Sequence, residues 1–227
     1  MKLSVVMPVY NERETLRSIL ERVRAVPIEK EIICIDDCST DGTWDILQEV
    51  AKEGHIRLFR HPRNLGKGAA VRTGLNKVRG DIVIIQDADL EYDPSDYRRL
   101  VMPIVEGQAR VVYGSRFRGH AQDMSRGHAW GNRFLTWATN VLFGVHLTDM
   151  ETCYKVFTAD AARRLRLKSP RWGFDPEITA RLLKMGYHIV EVPISYAGRE
   201  RGQGKKIRWQ DGFVVLFTII KCRFFEG

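Results

Sequence analysis

The chain has 227 residues, 44% of them hydrophobic, and a formal net charge of +8. That length and apolar content are enough for a sizeable core and exclude a disordered chain. With no run of about 18 apolar residues, a membrane-spanning helix is excluded too, and the positive balance calls for an anionic partner: nucleic acid, a membrane surface or a phosphorylated substrate.

Leu3 to Val9 reads as a strand and not as a signal peptide, being short and lacking a cleavage site. Asn11 to Arg24 reads as a helix capped by Asn11, with Glu12 and Glu14 in its first turn. Leu16, Ile19, Leu20 and Val23 share one face of it. Glu31 to Ile35 is a second strand ending at Asp36-Asp37, followed by a helix from Thr43 to Glu53 and a strand from Ile56 to Arg60. Lys67 to Val78 is helical, and Asp81 to Gln86 is a fourth strand. Asp96 to Glu106 reads as helix and Ala109 to Tyr113 as a fifth strand. Beyond them come helices over Gly131 to Leu142 and Pro176 to Met185, with a strand over Ile189 to Ile194. Alternating strands and amphipathic helices predict an α/β fold, a mostly parallel central sheet flanked by helices. No linker or repeat divides it, so one domain over 1–227 is expected. Ile207 to Phe225, basic and rich in aromatics, reads equally as an interfacial membrane helix or as a helix docked on the core.

Asp87-Ala88-Asp89 directly follows the apolar run Ile82-Val83-Ile84-Ile85. In extended backbone the two carboxylates point to the same side, and like charges that close repel unless something positive lies between them. Hard oxygen ligands suit Mg²⁺ or Mn²⁺, and Mg²⁺ is usually held by one or two carboxylates together with substrate phosphates. For the motif alone, a solvated Asp-rich turn is the better reading, since short motifs often occur by chance.

Ligands of open parallel sheets bind at the carboxyl ends of strands. Pro8-Val9-Tyr10-Asn11-Glu12 and Asp36-Asp37-Cys38-Ser39-Thr40-Asp41-Gly42 stand at two further such ends and are expected to converge with Asp87 and Asp89. No glycine-rich dinucleotide or P-loop motif follows any strand. Gly66-Lys67-Gly68 reads as a tight turn, with Lys67 open as a phosphate contact. The four cysteines lack metal spacing and read as buried thiols of a reducing compartment. Asp149 and Glu151 read as acceptor-side acids or, for Asp149, equally as part of a turn between helix and strand; Asp175 and Glu177 read as helix-dipole partners, and Trp130, Trp137 and Trp172 as core or acceptor-groove packing.

The ordered motifs Val6-Met7-Pro8-Val9-Tyr10-Asn11-Glu12, Ile35 to Gly42, Asn64 to Ala70 and Asp87-Ala88-Asp89 resemble the inverting family 2 glycosyltransferases of GT-A fold. Gly114-Ser115-Arg116, Asn132-Arg133, Thr148 to Lys155 and Gly204-Lys205-Lys206-Ile207 are similar to the dolichyl-phosphate mannosyltransferase branch. The resemblance spans nearly the whole chain. It implies a metal-dependent hexosyltransferase moving mannose or glucose from a GDP- or UDP-sugar to a dolichyl or undecaprenyl phosphate. A donor half (1–110), an acceptor half (111–204) and a basic C-terminal segment (205–227) follow from it.

By the same resemblance, Pro8, Tyr10, Glu12, Asp37, Lys67, Asp87, Ala88 and Asp89 bind the donor. Asp87, Asp89 and Glu91 hold Mg²⁺ or Mn²⁺, Glu91 standing where relatives carry Gln. Arg116, Arg133, Arg199, Arg201, Lys205 and Lys206 bind the acceptor phosphate, and Asp89, Arg116 and Arg133 bear the chemistry. The expected setting is cytoplasmic, peripheral at a membrane surface, with room for a membrane-embedded partner protein and no nucleic acid. Alternatives are a soluble family 2 transferase acting on a glycan or lipid hydroxyl, a nucleotidyltransferase and, remotely, a nucleic-acid-binding protein.

Overall fold

The structure is a computed structural model that describes residues 1–122, 124–198 and 211–225. Its centre is a seven-stranded sheet in the order β3-β2-β1-β4-β6-β5-β7. The strands are β1 (Leu3–Val9), β2 (Lys30–Asp36), β3 (Arg57–Arg60), β4 (Ile82–Ile85), β5 (Val111–Gln122), β6 (Lys155–Thr158) and β7 (Ile189–Ala197). The helices are α1 (Leu16–Ala25), α2 (Thr43–Lys52), α3 (Lys67–Leu75), α4 (Tyr97–Val105), α5 (Arg126–Phe143), α6 (Ala159–Arg164), α7 (Phe174–Lys184) and α8 (Asp211–Phe224). β1 is buried along its whole length and β4 likewise, as strands covered on both faces must be, which is why both read as unbroken apolar runs.

Topology places the site. β1 pairs in parallel with β2 and β4, so the segments after Val9, Asp36 and Ile85 leave the same edge. β6 runs antiparallel to both β4 and β5. The chain entering β6, and β5 just past its last pair with β6 (Tyr113 with Lys155), therefore reach that edge as well. Pro8 lies past the last β1–β4 pair, Val6 with Ile85, so its missing N–H breaks no ladder bond on that side.

Several expectations are corrected. α1 starts at Leu16, not Asn11, and has no acidic residue in its first turn. Asn11 instead takes a left-handed φ of 51°, which asparagine tolerates better than most residues. Asp87 and Asp89 lie beyond β4, which ends at Ile85, and the chain bends from Ala88 to Leu90, so the motif does not continue the strand. β6 and α6 were not expected at all. Trp130 and Trp137 are not core residues: they are 73% and 59% exposed.

α3 is drawn close to the loop before α7 by a glycine. A Cβ on Gly68 would fall 2.4 Å from the Ser169 carbonyl oxygen and 2.8 Å from Phe174 Cβ. α5 and α8 pack through a small separate cluster of Leu135, Met150, Val215 and Ile219.

Candidate active site

Around the residues expected to bind the donor, short side-chain bonds fix the strand-end loops to one another. The Asn11 N–H donates to Ser39 Oγ (3.0 Å) and Asn11 Oδ1 accepts the Thr40 N–H (2.8 Å). The Glu12 N–H donates to Thr43 Oγ1 (2.9 Å). The Thr15 hydroxyl lies 3.0 Å from the Ala88 carbonyl and 3.1 Å from the Glu12 carboxylate, tying the first loop to the D-x-D bend. Tyr10 is half-buried beside them. Asp41 accepts both the N–H (3.0 Å) and the hydroxyl (2.6 Å) of Thr43, while Gly42 at φ 92° stands at the start of α2.

Asp37 is only 2% exposed. Its Oδ1 accepts from His61 Nδ1 (2.7 Å) and the Leu65 N–H (2.8 Å), and its Oδ2 from the Gly66 N–H (2.7 Å). Three donors on one buried carboxylate make it the clamp of the 61–66 loop, and that loop delivers Lys67 to the sheet edge. Lys67 Nζ meets both oxygens of Asp87, at 2.6 and 2.7 Å. It also lies 5.4 Å from the centre of the Phe174 ring. Burial alone would lower the Lys67 ammonium, but Asp87, Cys153 and Asp175 together raise it above its ordinary value. The positive group next to the first aspartate is thus a lysine of the chain itself.

Asp89 Oδ1 accepts the Glu91 N–H (3.1 Å), and the Glu91 carboxylate accepts the Tyr196 hydroxyl (2.9 Å). Among the described residues no three His, Cys, Asp or Glu side chains gather as a metal-ligand group. Two carboxylates are nevertheless the protein share of many Mg²⁺ sites, with phosphate oxygens and water supplying the rest. Asp87 and Asp89 fit that mode, while Glu91 is held by the Tyr196 hydroxyl through Oε2.

The residues expected on the acceptor side are organised around Arg116. Its Nε and Nη2 donate to Asp149 Oδ2 and Oδ1, both at 2.7 Å, and its own N–H donates to Oδ2 at 3.0 Å. Its guanidinium also lies 5.3 Å from the centre of the Tyr196 ring. Asp149 does lie in the connection between α5 and β6, but it is fully buried and holds Arg116 as well. Glu191 of β7 pins it in turn, accepting the Asp149 N–H (2.9 Å), the Thr148 N–H (2.8 Å) and the Thr148 hydroxyl (2.9 Å). Arg133 stands on the exposed side of α5 with its guanidinium 5.0 Å from the centre of the Phe117 ring. Arg199, Arg201, Lys205 and Lys206 lie outside the described residues.

Beneath these groups lies a charged layer with little prior signal. Lys155 is wholly buried, and its Nζ pairs with Asp175 Oδ1 at 2.6 Å. Asp175 is therefore more than a helix-dipole partner. Glu177, also in the first turn of α7, receives the N–H groups of Lys168 and Ser169 and the Arg181 guanidinium. Burial and the neighbouring Asp175 and Asp149 push the Glu151 carboxyl up to about 8, against the pull of Lys155 and Arg116. Its Oε1 is buried without a hydrogen-bond partner. The one available signal for Glu151, Lys155 and Asp149 was their crowding within Thr148 to Lys155; Glu191 and Tyr196 had none.

Comparison with known proteins agrees with this geometry. A family model described as Glycosyl transferase family 2 matches residues 4–166. An undecaprenyl-phosphate mannosyltransferase of Micrococcus luteus is 30% identical over 90% of this chain and 87% of its own. An undecaprenyl-phosphate 4-deoxy-4-formamido-L-arabinose transferase of Pseudomonas fluorescens is 34% identical over 97% of this chain and 64% of its own. Glucosyl-3-phosphoglycerate synthase of Mycobacterium tuberculosis, solved with Mn²⁺ and UDP, superposes with a TM-score of 0.73 at 21% identity, covering 98% of this chain and 80% of its own. The last likeness concerns the fold, which is of the GT-A type. The chain belongs to glycosyl transferase family 2 and is a glycosyltransferase.

Proposed function

We propose that the protein moves a hexose from a GDP- or UDP-sugar to a polyprenyl phosphate, with inversion and with Mg²⁺ or Mn²⁺, at a membrane surface. The observation that carries this reading is the arrival of the Asp87-Ala88-Asp89 bend and the Asp149-locked Arg116 at one sheet edge. The relatives named for undecaprenyl phosphate support the choice of acceptor.

Asp87 and Asp89 would hold the divalent ion, and Lys67 would stay near enough to share the donor's phosphate charge. When bound, the ion offsets the charge that develops on the leaving diphosphate. The residues of the chain do the positioning. Asp149 occupies one edge of the Arg116 guanidinium beside Tyr196, and an acceptor oxygen would be met by the N–H groups left over. A phosphate oxygen of the acceptor attacks the anomeric carbon as the bond to the diphosphate oxygen breaks. With a second pKa of about 6, that phosphate is already ionised near neutral pH and needs no base. Alignment then supplies most of the rate enhancement. Replacing Arg133 by alanine tests the division of roles. The acceptor KM should rise at least about tenfold, a loss of about 1.4 kcal/mol, with the donor KM little changed. An unchanged acceptor KM contradicts the assignment.

One observation favours a second reading, transfer to a hydroxyl. A hydroxyl must lose its proton during attack, and Glu151, with its carboxyl pushed up to about 8, has the basicity of a general base working near neutrality. In that case Glu151→Gln abolishes turnover; on the phosphate reading it leaves turnover within about tenfold.

A further inference from the structure

α5 and α8 each turn an apolar face outward. On α5 the exposed residues Trp130, Phe134, Trp137 and Val141 recur at helical spacing and lie on one side. Their rings form a ladder: Trp130 and Phe134 stack with centroids 6.0 Å apart, and Phe134 and Trp137 with centroids 5.9 Å apart. On α8, Phe213, Phe217, Ile220 and Phe224 do the same, Phe213 and Phe217 being 66% exposed. The two helices are neighbours, packed through Leu135, Val215 and Ile219 on their inner sides. Two adjacent helices with exposed aromatic faces far exceed the scattered apolar residues of an ordinary surface.

We infer that these two faces form one surface that docks into a lipid bilayer containing anionic headgroups. Three observations select a bilayer over a second protein. The charge of the helices is complementary to such a surface. α5 carries Arg126 and Arg133 and no acid; α8 carries Lys221 and Arg223 in its last turn and a single acid, Asp211, at its start. The residue types fit as well, since Trp prefers the boundary between headgroups and acyl chains, where its ring is buried and its N–H stays wet. The surface is also continuous with the acceptor side, because Arg133 stands on α5 within the same turns as Trp130, Phe134 and Trp137. Among the described residues no helix is long and apolar enough to cross a membrane, so contact would be made by lying in the interface. The choice of a lipid occupant rests on the polyprenyl-phosphate reading above. The docking extends it by making α5, and not only the C-terminal segment, the contact that brings Arg133 to the depth of a lipid phosphate.

The test uses the full chain and vesicles of phosphatidylcholine, with and without phosphatidylglycerol and free of any polyprenyl phosphate. Co-sedimentation with the anionic vesicles is expected, weakening as salt rises, with a blue shift of tryptophan emission that Trp137→Ser reduces. Trp137→Ser and Phe217→Ser should each lower the partition about tenfold, as expected for withdrawing one large ring from the interface. Val105→Ser, an exposed apolar residue at the end of α4, should not change it, and thermal midpoints should stay at the wild-type value. Transfer to a short-chain, water-soluble polyprenyl phosphate should be the same in all of these variants. Wild-type protein that stays in the supernatant overturns the inference, as do ring variants that bind like wild type. A dimer at sedimentation equilibrium that Phe217→Ser dissociates overturns it in favour of a second copy. Vesicle binding without any transfer to the short acceptor would instead refute the acceptor reading and leave the docking surface standing.

Discussion

Replacing Asp149 by asparagine keeps the shape of the side chain and removes its charge. In the native protein Asp149 is fully buried and receives three bonds from Arg116, two at 2.7 Å and one at 3.0 Å. Arg116 is itself only 7% exposed, so its charge has little access to water. Removing one partner of such a pair leaves the other charge uncompensated, and the cost is about 3–5 kcal/mol. The asparagine amide would also direct a donor at the Arg116 donors. Against a typical domain stability of about 5–15 kcal/mol this is a large fraction. At about 2–4 °C per kcal/mol for a chain of this size, the thermal midpoint should fall by about 6–20 °C. Urea unfolding at neutral pH, with the slope unchanged, measures the loss directly. The double change Arg116→Met with Asp149→Leu removes both charges and should be more stable than Asp149→Asn alone. A single-variant loss below about 1 kcal/mol, or a double variant less stable than the single one, would refute the buried-pair argument.

Other outcomes follow from the same layer. Glu151 has a folded-state carboxyl pushed up to about 8 from an ordinary value of 4.5. Between those values the unfolded chain releases the proton and the native protein keeps it, so this group's contribution to stability is lost as pH rises across that window. Glu151→Gln should therefore gain on wild type by a few kcal/mol, as an order of magnitude, between pH 5 and pH 8 (~1.4 kcal/mol per pH unit at most); parallel stability curves would exclude a raised carboxyl. Glu191→Gln should loosen the Thr148-Asp149 loop and raise the acceptor KM about tenfold, while the donor KM stays put; equal changes in both would deny the positioning role. Gly68→Ala should cost about 1–3 kcal/mol in urea unfolding, because its Cβ would meet the Ser169 carbonyl oxygen at 2.4 Å. A neutral substitution there would mean that the loop before α7 yields freely.

The donor edge was legible because its signals are local. Strands β1, β2 and β4 announce themselves as apolar runs, and acids or turn residues directly after them mark a ligand edge whatever the rest of the fold. The Arg116–Asp149 pair was not legible locally, since nothing in Gly114-Ser115-Arg116 says that Asp149 waits for the arginine. β6 escaped because it is four residues long, opens with a lysine and runs against its neighbours. A buried Lys155 looks polar in sequence and becomes tolerable only once Asp175 arrives from α7. Asn11 misled for a related reason. Asparagine serves equally as a helix cap and as a left-handed turn residue, and the bonds to Ser39 and Thr40 that decide between them come from the next strand end. The core reading of the α5 tryptophans failed because an aromatic stripe at helical spacing does not say which way it faces.

The most direct test of the account is transfer itself. Radiolabelled GDP- and UDP-hexoses are incubated with the protein and a short polyprenyl phosphate, with Mg²⁺, with Mn²⁺ and with a chelator. The account predicts label in the lipid phosphate from at least one donor, lost on chelation, restored by either ion, and absent with Asp89→Asn. Label that appears only on hydroxyl acceptors, or that survives both the chelator and Asp89→Asn, would contradict it.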